Sequence, residues 1–279
     1  MRVDRLAAFS DGETGGNPAG VMIADALPSA AEMQAIAAEI GYSETAFAAP
    51  LGGNHWRVRY FAPGMEVPFC GHATIALGAA LALQFGDGEF ALTLNDAAIT
   101  VTGRRDGSTI AAALQSPPTS STAAEPGLVA DMLTLFGYTQ ADLDQRIPPA
   151  IADAGARHLV LALNSRAALA AMRYDFDTGR ALMQAAGLVT IILIYAETAQ
   201  LFHTRNPFAA GGVYEDPATG AATAALAGYL RAIGWPHAGM INIVQGEDMG
   251  MRSRLRAEIP PTHGTSIRVS GTARMLPPE

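Results

Sequence analysis

Alternating apolar and polar residues predict several short strands along this chain. A first strand is predicted at residues 3–9, and a pair of short strands at 266–269 and 272–276. Across residues 89–113 the alternating runs are separated by turn-forming residues, which is typical of antiparallel hairpins. The apolar run at 188–195 predicts a buried strand and is far too short to cross a bilayer.

Helices are predicted where the apolar residues recur every three or four positions. Ser29 and Glu32 form a capping box before such a run, and Gly41 is the glycine expected just past its end. A second helix is predicted at residues 126–136, and Asp177 is expected to cap a third. Strands outnumber these helices, so the pattern favours the α+β class.

Turn-forming residues mark the predicted connections between elements. Residues 11–20 are rich in glycine and are predicted to be a loop. Residues 116–126 are rich in Pro, Ser and Thr, and we expect them to link two domains. The predicted domains are residues 1–116 and 117–279.

One stretch of the chain occurs twice. Residues 66–77 reappear 149 positions later as residues 215–226, with Glu, Pro, Gly, Ala, Thr, Ala and Leu at the same places. Each copy has an extended approach, a glycine and then an Ala- and Leu-rich run that predicts a helix. The repeat predicts two related half-structures.

The start of each repeated helix is a candidate anion site. Backbone N–H groups at a helix start are unpaired and carry partial positive charge, which suits a carboxylate or phosphate. The alternative is that each helix is simply the core helix of its half. The candidate residues are Gly71, His72, Gly220 and Ala221.

Composition excludes several classes of function. The net charge is −8 without a dense basic run, so no nucleic-acid partner is expected. All 18 positive charges are Arg, and a chain without Lys makes neither a Schiff base nor a P-loop. Cys70 is the only cysteine and the six His show no pair at helical spacing, so no metal site is expected. The N-terminus lacks the apolar core of a signal peptide, so we expect a cytoplasmic protein without a membrane partner.

Glu44 is the candidate acid/base residue. It stands between the hydroxyls of Ser43 and Thr45, where an apolar strand is predicted to begin. A carboxylate in such a place is often merely solvated, but a partly buried one serves general acid/base catalysis. Both interpretations are open from this motif alone.

The motifs of this chain resemble those of the PhzF-like proteins, the phenazine-biosynthesis isomerase and its relatives, from about Val3 to the final strands. The motifs that carry the resemblance are Asn17-Pro18-Ala19-Gly20-Val21, Ser43-Glu44-Thr45, Pro68-Phe69-Cys70-Gly71-His72-Ala73-Thr74, Asn206-Pro207-Phe208, Glu215-Asp216-Pro217-Ala218-Thr219-Gly220 and Gln245-Gly246. The resemblance implies a diaminopimelate-epimerase-like fold: two similar halves, each a barrel-like, mostly antiparallel sheet around a central helix. It also implies that the last strands pack back on the first half, and a homodimer is a further expectation from the family.

The resemblance implies a cofactor-free isomerase acting on a small amino or carboxylic acid, and a cyclic one is expected. Glu44 would shuttle a proton between carbon atoms, with His72 and Asp216 as polar partners. The implied substrate contacts are Asn17, Ser43, Gly71, Gly220 and Ala221.

Two alternatives remain from the sequence. An amino-acid racemase of the same fold uses two thiols, but the repeat places Thr219 where the first half has Cys70. A binding protein that kept the fold and lost the chemistry is the other alternative. The sequence also leaves open whether Arg205, Arg252 or Arg254 faces the substrate with a guanidinium, which pairs well with carboxylates.

Overall fold

The computed structural model describes residues 2–107 and 109–277 of the chain. The chain divides into two compact units. The first comprises Met1–Gln115 with Ser270–Glu279, and the second comprises Ser116–Val269.

The described residues form seventeen strands and six α-helices. The strands are β1 (Asp4–Ala8), β2 (Asn17–Ile23), β3 (Thr45–Gly52), β4 (His55–Ala62), β5 (Met65–Val67), β6 (Gly88–Thr93), β7 (Ala98–Asp106), β8 (Thr109–Pro118), β9 (Ser120–Ala123), β10 (Ala150–Asp153), β11 (Arg157–Ala162), β12 (Thr190–Ala196), β13 (Leu201–Phe208), β14 (Val213–Asp216), β15 (Met240–Gln245), β16 (Ser253–Glu258) and β17 (Ser266–Met275). The helices are α1 (Ala30–Ile40), α2 (Gly71–Phe85), α3 (Pro126–Phe136), α4 (Arg166–Ala170), α5 (Phe176–Ala185) and α6 (Gly220–Ala232). Among the residues given above, no helix is long and apolar enough to span a membrane.

The strands of the first unit form a closed, barrel-like sheet. The pairing runs β1–β2, β2–β3, β3–β4, β4–β6, β6–β7 and β7–β8, and β17 joins both β8 and β1. In this set β2–β3 and β4–β6 are parallel, whereas β1–β2, β3–β4, β6–β7, β7–β8 and β1–β17 are antiparallel. The sheet is therefore mostly antiparallel, as predicted.

The second unit repeats this order of pairing. Strands β10–β11, β12–β13 and β15–β16 are antiparallel, whereas β11–β12 and β13–β15 are parallel. The parallel pairs occupy the same places as in the first unit, and β14 pairs with β13 as β5 pairs with β4. The repeat found in the sequence therefore extends to the topology of the two units.

Each sheet surrounds one buried helix. In α2 every residue from His72 to Ala82 is buried, and α6 is buried along almost its whole length. Small residues let these helices approach the strands closely: a Cβ atom built on Gly103 of β7 would overlap the carbonyl oxygen of Gly78 in α2. The Ala-rich repeat is therefore a core helix in both units, as one interpretation of the sequence predicted.

Two local predictions were wrong: the loop at residues 17–20 and the division of the last strand. Residues 17–20 belong to strand β2 and not to a loop, because β1 pairs with them along their whole length. At residues 116–126, where the sequence places the link between two domains, β8 runs to Pro118 and β9 pairs with β10. The two strands predicted at 266–269 and 272–276 are one strand, β17.

The helix ends were predicted correctly, with one exception. The Ser29–Glu32 capping box is present, and Gly41 closes α1 in the left-handed conformation. The cap of α5 is Asp175 instead of Asp177, and its side chain accepts a hydrogen bond from the Thr178 N–H. Asp177 lies in the first turn, where its charge suits the helix dipole.

His158 makes the stability of the protein depend on pH. Complete burial lowers the pKa of His158 to about 3, and its Nδ1 lies 2.7 Å from the Thr190 hydroxyl oxygen. Below the ordinary pKa of about 6.5 the unfolded chain binds a proton that the folded protein excludes, so stability falls as the pH drops toward 3. We expect the free energy of unfolding to lose about 2 kcal/mol through this residue between pH 7 and pH 5.

Denaturant unfolding at the two pH values measures this loss. His158→Gln, which has no titrating group, should show a pH dependence smaller by that amount. The matched variant His263→Gln, at an exposed position, should keep the full dependence. Equal pH dependence in His158→Gln and the unmodified protein would contradict the prediction.

Candidate active site

Glu44 lies in the short connection between α1 and β3. Its carbonyl oxygen accepts a hydrogen bond from the Gly20 N–H at 3.2 Å, which ties the connection to β2. A side chain at Gly20 would overlap the side chain of Thr45, so glycine is needed for β2 and β3 to approach here. The Glu44 side chain is 15% exposed to solvent.

His72 brings three polar side chains together at the start of α2. Its Nε2 atom lies 3.5 Å from Glu44 Oε2 and 3.3 Å from Ser43 Oγ. Its Nδ1 atom lies 3.3 Å from Cys70 Sγ. The imidazole is buried and is the second residue of a core helix, so its orientation is fixed by packing.

One protonation arrangement satisfies every contact of the imidazole. With the ring proton on Nε2, the imidazole donates toward Glu44 and Ser43, while the Cys70 thiol donates to Nδ1. Cys70 then acts as a partner that selects the tautomer of His72. The sequence pointed to Glu44, Ser43 and His72, but it gave no signal for this contact of Cys70.

The same three residue types also raise the question of a metal. Ligand atoms of Glu44, Cys70 and His72 lie within 4.8 Å of one another, and Zn²⁺ takes sulfur, nitrogen and oxygen ligands. The carboxylate and the thiol, however, contact opposite nitrogens of the ring. That arrangement suits a line of hydrogen bonds better than a shared ion. The absence of a metal stays a prediction.

Asp216 forms a second polar group, in the second unit. The Thr219 hydroxyl donates a hydrogen bond to Asp216 Oδ2 at 2.5 Å. Gln245 is buried behind this pair and binds both residues. Gly220 and Ala221 follow directly as the first residues of α6. The sequence identified Asp216, Gly220 and Ala221, and gave Gln245 no role.

The starts of the two repeated helices share one feature. The N-cap residues Cys70 and Thr219 occupy equivalent places in the repeat, and neither side chain caps the N–H groups of the first turn. Each side chain instead contacts a candidate catalytic residue, His72 or Asp216. This leaves the helix-start N–H groups without a cap from these side chains, as an anion site requires.

Asn17 lies at the start of β2 and is buried. It pairs with Ala8 of β1, three positions before the Gly20 that anchors Glu44. Its role as a substrate contact stays a prediction.

The structure answers the question of Arg205. Its guanidinium is buried and binds Glu215, with Nε 3.0 Å from Oε1. The first unit has a corresponding pair, Arg59 with Glu66. The two Glu residues occupy the same place in the repeat, and each Arg lies two residues before the strand residue that faces its Glu. Arg205 therefore holds β13 against β14 and is occupied by a carboxylate of its own chain.

These features define the structural class of the protein. Two units share one topology, each with a buried helix inside a mostly antiparallel sheet, and a Glu–His pair lies at one helix start. This is the epimerase-like architecture, and the predicted fold is confirmed by solved structures. A predicted epimerase from Pseudomonas aeruginosa matches with a TM-score of 0.85 and 26% identity, covering 99% of this chain and 97% of that one. A probable proline racemase from Agrobacterium radiobacter shares the fold alone, with a TM-score of 0.65 and 10% identity over 98% of this chain and 90% of that one.

The chain belongs to the PhzC-PhzF family of phenazine biosynthesis-like proteins, whose family model matches residues 6–277. It is 34% identical to the trans-2,3-dihydro-3-hydroxyanthranilate isomerase of Pseudomonas fluorescens, over 95% of this chain and 94% of the relative. The resemblance predicted from the motifs is therefore confirmed. Because the curated relatives are named isomerases, the chain is assigned to that enzyme class.

Proposed function

We propose that this protein is a cofactor-independent isomerase that moves a proton between two carbon atoms of a small cyclic amino or carboxylic acid. Glu44 is the proposed acid/base, and His72 and Asp216 are proposed to orient the substrate and assist its proton transfers. The observation that carries the proposal is the contact of the Glu44 carboxylate with the buried imidazole of His72, at 3.5 Å.

The proposed reaction uses one carboxylate twice. The Glu44 carboxylate removes a proton from a substrate carbon, and the electron pair of that C–H bond passes into the conjugated system of the substrate. The protonated Glu44 then gives the proton to another carbon of the same molecule. Electrons and protons balance without an oxidant or reductant, and holding the substrate in place removes the need for a second base.

The surroundings of Glu44 support both steps. The Nε2 atom of His72 lies 3.5 Å from the Glu44 carboxylate and fixes its position beside the buried imidazole, and the Ser43 hydroxyl contacts the same ring nitrogen. Negative charge that develops on a substrate carboxylate is stabilised by N–H groups at a helix start, as proposed for Gly71 and His72. The roles proposed for Gly220, Ala221 and Asn17 are substrate contacts of the same kind.

Proton NMR in D₂O tests the proposal. The protein is incubated with trans-2,3-dihydro-3-hydroxyanthranilate, the compound in the name of the relative, and with a panel of small cyclic amino acids. We expect isomerisation of at least one compound, with less than one deuterium per product molecule, because a shielded carboxylate returns part of the original proton. If no compound showed either isomerisation or deuterium uptake, that result would contradict the proposed function and favour a binding role.

A further inference from the structure

The motif Gln245-Gly246 has no role in the reaction proposed above, yet both residues pack against the turn that carries Asp216. This turn, residues 216–219, connects β14 to α6. Gln245 is the last residue of β15 and is 1% exposed. A long polar side chain in such a place needs partners for its amide, and all of those partners are in the turn.

Gln245 uses both ends of its amide on the turn. Its Oε1 accepts a hydrogen bond from the Thr219 N–H at 3.1 Å. Its Nε2 donates to the Asp216 carbonyl oxygen at 2.7 Å and to Thr219 Oγ1 at 2.9 Å. The Thr219 hydroxyl, held in this way, donates a hydrogen bond to Asp216 Oδ2 at 2.5 Å. A line of hydrogen bonds therefore runs from Gln245 through Thr219 to the carboxylate of Asp216.

Gly246 fits the backbone against the same turn. It has φ of +72°, in the left-handed region that favours glycine. A Cβ atom there would lie 2.8 Å from the Pro217 carbonyl oxygen and 2.5 Å from that of Met251. The glycine thus permits a contact between β15 and the turn that no other residue allows without movement.

Gln245 lies on strand β15, which has a paired strand on each side. Gln245 pairs with Thr204 of β13 on one side and with Ser253 of β16 on the other. A side chain anchored on a strand with neighbours on both sides positions its partners more precisely than one on a loop does.

We infer that Gln245 is a positioning residue, which holds the carboxylate of Asp216 in its working orientation through the Thr219 hydroxyl. The inference rests on the proposed function for its catalytic consequence, because Asp216 matters there as a polar partner. The hold on the turn itself does not depend on that proposal. This separation allows the two to be tested apart.

Amide hydrogen exchange tests the hold on the turn. In Gln245→Ala the Thr219 N–H loses its acceptor, so we expect its exchange to become about tenfold faster or more, with amides of α5 unchanged. Gln200→Ala is the matched control, since it removes a side-chain amide that bonds the Pro236 carbonyl oxygen at the surface of the same unit. Unchanged exchange at Thr219 in Gln245→Ala would overturn the inference.

Kinetics with a matched pair of variants test the consequence. Thr219→Ser keeps the hydroxyl that links Gln245 to Asp216, whereas Thr219→Val removes it. We expect kcat to fall about tenfold or more in Thr219→Val and Gln245→Ala, with a smaller change in KM, and to be retained in Thr219→Ser. Equal kcat in the Ser and Val variants, with both folded, would overturn the positioning role. If the unmodified protein turns over no compound, the proposed function fails, and the exchange measurement still decides whether Gln245 holds the turn.

Discussion

Replacing Glu44 with Gln is expected to lower kcat by about 10²–10⁴-fold, the range typical of losing a general acid/base. Glutamine has the size of glutamate and keeps a polar contact for His72, but its amide does not accept and return a proton at neutral pH. The effect should therefore fall on turnover and not on folding. It is measured by proton NMR in D₂O with whichever compound the unmodified protein isomerises.

A matched control separates chemistry from charge. Glu39 is an exposed residue of α1, five positions earlier in the chain, and Glu39→Gln makes the same change in net charge. We expect this control to keep full activity, and both variants to unfold at the same denaturant concentration as the unmodified protein. Equal turnover in Glu44→Gln and Glu39→Gln would remove Glu44 from the mechanism.

Among the residues around His72, we expect Glu44 to be the most sensitive to substitution. The imidazole contacts the Glu44 carboxylate through one nitrogen and the Cys70 thiol through the other. Losing the carboxylate removes the proton carrier itself, whereas losing a partner leaves the carrier in place. The proposed mechanism thus ranks Glu44 above Ser43 and Cys70 in expected effect.

Sequence reasoning succeeded where neighbouring residues decide the structure. The Ser29–Glu32 capping box and the left-handed Gly41 are contacts within one turn, so they are visible in the chain itself. The repeat was equally visible, because it depends on identity at fixed spacing. From it followed two related units and the core helices α2 and α6.

Sequence reasoning failed where the conformation of a segment depends on a strand it pairs with or packs against. Pro18 and Gly20 are turn-forming residues, yet they lie in β2 because β1 pairs with them and Gly20 lets Thr45 approach. The same holds for β9, a Ser- and Thr-rich segment that becomes a strand only by pairing with β10. Composition describes the local preference, and the neighbouring strand overrides it.

The candidate site shows the same division. The motifs pointed to Glu44, His72 and Asp216 as residue types, and the structure brings Glu44 and His72 into contact in the first unit. The contacts of Cys70 with His72 and of Gln245 with Thr219 were not foreseen, and Gln245 reaches Thr219 across 26 positions of the chain. Contacts of this kind are set by the packing of strands and not by spacing along the sequence. Whether Asp216 acts in catalysis stays a prediction.

Glu215→Gln is expected to cause the largest loss of stability, lowering the free energy of unfolding by about 3–5 kcal/mol. The side chains of Arg205 and Glu215 are 9% and 3% exposed, so removing one charge leaves the other buried without its partner. Two backbone carbonyl oxygens, of Ala170 and Met172, also bind the guanidinium but carry no full charge to balance it. Denaturant unfolding measures the difference between variant and unmodified protein.

The repeat supplies the control for this prediction within the same chain. Glu66 occupies the equivalent place and binds Arg59, but these side chains are 27% and 21% exposed. Water reaches this pair and weakens the attraction, so Glu66→Gln should cost only about 1 kcal/mol. Combining Glu215→Gln with Arg205→Met removes the unpaired charge, and we expect the double variant to be more stable than Glu215→Gln alone. A cost for Glu215→Gln no larger than that for Glu66→Gln would contradict the role of burial. The two pairs share residue types, strand register and two Arg–Glu hydrogen bonds, and they differ in their exposure to water.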